Sequence, residues 1–178
     1  MRRDPSPQPP DWAHCGHGAV PAADPVGCRG IRVRGYTSCL AHLPRRKRRR
    51  YLASLSPGTD IDHSGTPFTP ALLVELLRAL QDPTTGRPHL GRAWFSEARF
   101  GGDASFDWVT FTGDASFDWA RFTGNARFDR ATFTGSASFY GARFTGNASF
   151  DWVTFTGDAS FDWARFTGNA RFDRATFT

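Results

Sequence analysis

From residue 95 to residue 177 a phenylalanine returns every five or six residues, and these are sixteen of the seventeen in the chain. The steps alternate five, six, five, six. A small apolar residue stands two places before each one: Ala93, Ala98, Ala104, Val109, Ala115 and onward to Ala175. Such steps cannot hold one face of a helix that turns every ~3.6 residues. Within each Ala-x-Phe the two apolar side chains share one side of a short extended stretch. A connector of two residues ("DW", "DR", "YG") or three ("TGD", "TGN", "TGS") then breaks the alternation. Short sides joined by corners predict a coil around an axis, with Phe inside. Four sides of five, six, five and six residues make 22, so every extra residue stacks on an extra residue; three sides would lay a long unit over a short one. The stretch Phe106–Thr134 recurs letter for letter as Phe150–Thr178, two such coils later. The expected fold is therefore mainly β, a four-sided β-helix over 93–178 of just under four coils, roughly 19 Å long at ~4.8 Å per rung.

With sixteen consecutive units, this half resembles the pentapeptide-repeat family. The resemblance implies a right-handed four-sided β-helix with the central Phe and the small residue two before it pointing inward. This chain departs from the family pattern by the sixth residue in alternate units and by Asp or Asn after the Phe (Asp107, Asp118) or in the connector (Asn125, Asn147). Gly113, Gly124, Gly135, Gly146, Gly157 and Gly168 recur every eleven residues and are expected at corners that need unusual dihedrals.

The first 92 residues follow no such period. A disordered tail is expected over 1–11. A Pro/Gly-rich segment, 12–43, holds all three cysteines and three of the five histidines. Cys15, Cys28, Cys39 and His42, with His17 as a substitute ligand, resemble a small zinc site, because thiolate and imidazole suit Zn²⁺ and the two-residue gap in "CLAH" lets both ends reach one ion. The bland reading is three free or buried thiols. Residues 44–92 are expected to hold a basic helix, a linker and a capping helix. Arg45, Arg46, Lys47, Arg48, Arg49 and Arg50 form an unbroken basic run after Pro44, in a helix ended by Pro57-Gly58. The run suits nucleic acid or an anionic surface, or is simply a solvated face. In "TPFTPALLVELLRALQDP", Thr69 can cap a second helix, Pro70 fits its first turn, and Leu72, Leu73, Leu76, Leu77 and Leu80 give a broad apolar face. That helix is expected to cover the open end of the coil, since a bare end exposes strand edges and Phe.

Charge sharpens the division. The net charge is +5 overall, +7 over residues 1–100 and −2 over 101–178. No run approaches the ~20 apolar residues of a membrane span. Pro and Asp near the start leave no apolar run for a signal peptide, and an odd cysteine count fits a disulfide framework poorly; a cytoplasmic, bacterial-type protein is expected. The repeats offer no matched acid, base or nucleophile, and His63 and His89 stand alone, so no enzyme is expected. The reading is an interaction scaffold with an unknown protein partner. Stacked connector residues place Trp108, Arg130, Trp152 and Arg174 in one outward column and Trp119, Gly141 and Trp163 in a neighbouring one, the candidate partner surface, edged by Asp107, Asp129, Asp151 and Asp173. The resemblance implies two further things: self-association through the C-terminal coil, and, as an alternative, DNA-mimic binding to a type II topoisomerase (gyrase), which needs a strongly negative rod. A threonine face that orders water, built on Thr110, Thr112 and their equivalents in each later coil, is a third reading.

Overall fold

The computed structural model describes residues 8–178. The tail expected to be disordered lies mostly outside the described residues; within them, the Gln8 carbonyl accepts from Arg29 Nη1 at 2.8 Å. The periodic half is a four-sided parallel β-solenoid. Each side of each coil is a short strand, and the strands stack into four parallel sheets with like over like. Ala126 pairs Ala148, Thr132 pairs Thr154, Ala137 pairs Ala159, and Arg143 pairs Arg165, the partners in each case one coil apart.

Register explains the core. Twelve phenylalanines from Phe95 to Phe155 are fully buried. Along a column the rings lie face to face, as with Phe111 and Phe133 at 4.5 Å and Phe128 and Phe150 at 4.9 Å between centroids. Across the coil they meet edge to face, as Phe117 does with Phe128 at 5.4 Å and 88°. Both arrangements suit the ring quadrupole. Burial fades along the last coil, where Phe172 and Phe177 are 36% and 58% exposed.

The solenoid begins earlier than its repeats. β1 (Ile61–Asp62), β2 (Pro67–Phe68) and β3 (His89–Leu90) add a rung to three of the sheets, with Ile61 on Ala93, Phe68 on Phe100 and Leu90 on Phe111. The fourth sheet has four strands instead of five. Helix α2 (Pro70–Ala79) packs against its first strand, Ala104–Ser105, and against β2. The Thr69 hydroxyl caps α2 by accepting from the Leu72 amide at 3.2 Å, and Leu72, Leu73, Leu76, Leu77 and Leu80 are all buried. Thus α2 stands in for a missing side, while β1–β3 belong to the coil and not to a linker. Helix α1 (Arg45–Leu52) ends well short of Pro57. Residues 12–43 form a loop-rich segment fastened to the first rung by the Ile31 amide on the Ser64 carbonyl at 2.8 Å; Val33, Leu40 and Leu43 join the phenylalanine core.

The corners are of two kinds, and neither is as the sequence suggests. The recurrent glycines do not adopt positive φ. They are required for space: a Cβ on Gly124 would lie 2.4 Å from the Gly102 carbonyl carbon, and one on Gly146 2.5 Å from the Gly124 oxygen. The residue after the glycine caps the next coil, with the Asp103 carboxylate accepting from the Asn125 amide at 2.9 Å and the Asn125 side-chain carbonyl from the Asn147 amide at 3.1 Å. Left-handed backbone falls instead at the two-residue corners: Glu97, Trp108, Trp119, Arg130, Trp152, Trp163 and Arg174 have φ between 56° and 62°. For side chains larger than Gly that conformation costs on the order of 1–2 kcal/mol each.

His63 sits fully buried at the head of the core, its Nε2 3.2 Å from the Tyr51 hydroxyl and its ring between Phe68 and Phe95. Burial pushes its pKa from 6.5 down to about 3. A base held neutral in the native state contributes stability above the unfolded value and loses it as pH falls toward the folded one. Between those limits the slope is up to about 1.4 kcal/mol per pH unit. Urea unfolding at pH 7 and pH 4.5 should show the wild type losing more stability than His63→Leu; equal losses would contradict this account. In the same assay, Phe128→Ala should cost about 3–5 kcal/mol, and Phe177→Ala far less.

Candidate metal centre and corner surfaces

Four ligand-type side chains converge in the N-terminal segment. Two stretches of chain run together through the Cys15 amide on the Gly30 carbonyl and the Gly16 amide on the Cys28 carbonyl, both at 2.8 Å. This brings Cys15 and Cys28 to one place. The 3₁₀ turn Leu40–His42, closed by the His42 amide on the Cys39 carbonyl at 3.0 Å, brings up the other two. Gly30 is needed there, since a Cβ would lie 2.8 Å from the Cys39 Cβ.

The sulfurs of Cys15, Cys28 and Cys39 and a ring nitrogen of His42 lie within 4.8 Å of one another. Cys28 and Cys39 sulfurs are 3.8 Å apart, and His42 Nδ1 is 3.5 Å from Cys15 Sγ and 3.4 Å from Cys39 Sγ. A tetrahedral ion with bonds of about 2.3 Å to sulfur and 2.0–2.1 Å to nitrogen would need edges of about 3.8 and 3.5 Å. The cluster therefore fits a four-coordinate metal ion, and no disulfide is present. The Gly30 amide points at Cys28 Sγ at 3.4 Å, a donor suited to a thiolate. Without an ion, the hydrogen bond to Cys39 draws the Cys28 thiol down to about 5, and the same contact, with burial, pushes Cys39 up. His17, the expected substitute ligand, stands beside the four converging side chains and not among them. Its ring stacks on His42 at 4.1 Å and holds that imidazole from the side.

The expected partner residues divide into two groups. Trp108, Arg130, Trp152 and Arg174 form one column, and Trp119 and Trp163 another. The order of the four sheets places these columns at opposite corners of the coil, not at neighbouring ones. In the first, Arg130 lies over Trp108 at 4.7 Å and Arg174 over Trp152 at 4.4 Å, while Arg87 covers the Trp108 ring at 3.9 Å. In the second, the Trp119 ring lies against Gly141, where a Cβ would come within 2.6 Å of it. The indoles are 38% (Trp108), 50% (Trp119), 47% (Trp152) and 73% (Trp163) exposed.

The aspartates beside the first column are not an open row of like charge. Asp107, Asp129 and Asp151 accept from the amides of Asp129, Asp151 and Asp173 at 3.0–3.1 Å. Arg127 pairs with Asp107 at 2.7 Å, and Arg171 with Asp151 at 3.0 Å and Asp173 at 2.8 Å. On the threonine face, Thr112, Thr156 and Thr178 turn their hydroxyls to the carbonyls of Leu90, Phe133 and Phe155. One of the two threonine columns is therefore partly occupied by its own backbone.

A further column, absent from the sequence-based expectations, is Arg99, Arg121, Arg143 and Arg165, in register and exposed on one sheet. Its recurrence once per coil was the available signal. A groove of about 500 Å³ lies where α2 meets Trp108, bounded by Val74, Leu77, Arg87 and Asp107. Among the described residues no helix is long and apolar enough to cross a membrane.

Comparison with known proteins adds one finding. The family model described as pentapeptide repeats (9 copies) matches residues 95–143 and 139–178. No curated protein and no solved structure matches the chain. With a four-sided parallel β-solenoid under that match, residues 95–178 are an array of pentapeptide repeats.

Proposed function

We propose that this chain is a non-enzymatic interaction scaffold whose N-terminal segment is set by one structural zinc ion and whose protein partner binds the Trp/Arg corner. The observation that carries the reading is the first corner column. Bulky Trp and Arg occupy left-handed positions that Gly would fill without strain, and they stack on one another where solvent and a partner can reach them. Trp and Arg are the residues most enriched at binding hot spots. Stacking fixes their rotamers before a partner arrives, so less entropy is lost on docking. The groove between α2 and Trp108, with Val74 exposed in its wall, continues this surface toward the N-terminal end.

The zinc assignment rests on edge lengths and donor type. Three thiolates and one imidazole form a closed structural set with no position left for substrate. Its ligands come from three separate stretches of a segment that has little regular structure, so the ion would hold that segment together. The topoisomerase reading draws no support from the surface, because a rod of net −2 with four stacked exposed arginines offers little likeness to DNA.

Elemental analysis of the purified chain should find one zinc per molecule, and Cys39→Ala should lose it together with several degrees of melting temperature. Zinc content near zero would end this part of the reading. Once a partner has been captured by cross-linking, Trp108→Ser with Trp152→Ser should weaken its binding at least tenfold, and Trp119→Ser with Trp163→Ser should not. Unchanged binding in the first pair, with the fold intact by circular dichroism, would move the contact elsewhere.

A further inference from the structure

Helix α1 is arranged in a way that neither the solenoid nor its corner column explains. At ~100° per residue, Arg48, Tyr51 and Leu52 fall on one side of α1, and these three are its half-buried residues. Tyr51 reaches His63, and Arg48 pairs with Glu75 of α2 at 3.3 Å. The remaining arc is cationic without a break: Arg45, Arg46, Lys47, Arg49 and Arg50, all exposed. Among the described residues no carboxylate lies within ion-pair distance of any of these five. Arg78 of α2 adds a further cation across a shallow groove of about 330 Å³ that Arg45 and Arg49 also line.

By its own electrostatics this helix is poorly made. Like charges three and four apart repel, and α1 holds several such pairs. Cations in the first turn oppose the helix dipole; α1 has no acid there and no side-chain cap. Packing and tethering hold it in place nonetheless. The chain leaves the metal cluster at His42, Leu43 is buried, and Tyr51 is pinned at the other end. The result is a rigid row of cations in which, among the described residues, the one carboxylate lining the adjoining groove, Glu75, is paired with Arg48.

We propose that the exposed arc of α1 is a docking site for the phosphate backbone of double-stranded nucleic acid. The arc contains no apolar side chain, whereas a helix lying in a membrane surface needs one apolar face turned outward; the apolar residues of α1 are turned into the protein. Five of the six basic residues in the run are arginine, whose planar fork grips phosphate through two parallel hydrogen bonds. Duplex DNA presents one charge per ~1.7 Å of axis, dense enough to serve the five cations at once. A folded acidic protein would have to hold a similar cluster of carboxylates against its own repulsion. Every contact is with backbone, so binding is independent of base sequence.

The test uses the full-length, zinc-loaded chain and a fluorescently labelled duplex of about 20 base pairs, followed by anisotropy across a salt series. With five phosphate contacts, log K should fall against log salt with a slope of about −4 to −5, and Arg46→Ser, Lys47→Ser, Arg50→Ser together should bring it to about −2. The three residues are exposed and, among the described residues, without an ion-pair partner, so the triple variant should melt no lower than the wild type. A wild-type slope shallower than about −2 would overturn the proposal without reference to any variant. So would an unchanged slope in the triple variant, or tighter binding to phosphatidylserine vesicles or polyglutamate than to duplex at equal salt.

Discussion

Everything in the repeat half depends on one constraint: each phenylalanine must sit directly over its counterpart in the preceding coil. At a ring separation of 4.5–5.2 Å along the columns, each phenylalanine of the repeats stacks on a copy of itself. The small residue two places earlier leaves room for rings from opposite sides to meet edge to face across the coil. Because each coil beyond the first is buried by its neighbours, stability is shared along the stack. The extra residue in alternate units is tolerated because it stands at the same place in every coil, and its corner glycines let backbones approach where a Cβ would not fit.

The same register imposes like over like on the outside, where it is a difficulty. Stacked identical charges repel, and the surface meets this in different ways. The aspartate column is relieved by backbone amides and by Arg127 and Arg171. The first corner column alternates Trp with Arg, so repulsion gives way to cation–π contact. The Asx residues of the longer units turn inward along the stack and cap the next coil. The column of Arg99, Arg121, Arg143 and Arg165 is the exception, since like stands over like and, among the described residues, no carboxylate pairs with Arg99, Arg143 or Arg165.

The N-terminal segment solves a separate problem, the first edge of the stack. Ile61, Phe68 and Leu90 continue three of the apolar columns, and α2 lays its leucines where the fourth would run. Above this rung the core passes without interruption into Val33, Leu40 and Leu43. The Cys/His cluster lies within the segment that carries those residues. Its four side chains are gathered by backbone pairing around Gly30 and by a single tight turn, so the cluster and the closure of the solenoid are set by the same short stretch of chain.

The coil, its four sides and its period can be read from the chain without coordinates, because a repeating core writes its spacing directly into the order of residues. The capped leucine helix and the four clustered ligand-type side chains are legible for a different reason: capping and metal chemistry restrict residue type. Two features emerge only when the chain closes on itself. The early rung is hidden because its strands pair at unequal offsets, Ile61 with Ala93 but Leu90 with Phe111, and α2 is inserted between them, so no period marks it. The left-handed corners fall on Trp and Arg, and the glycines serve close approach, because a residue's φ depends on the path its neighbours force and not on its own preference. The opposite placing of the two tryptophan columns, by contrast, is already in the spacing, since Trp108 and Trp119 stand eleven residues, half a 22-residue coil, apart; what closure of the four sheets decides is which side chain lies over each indole.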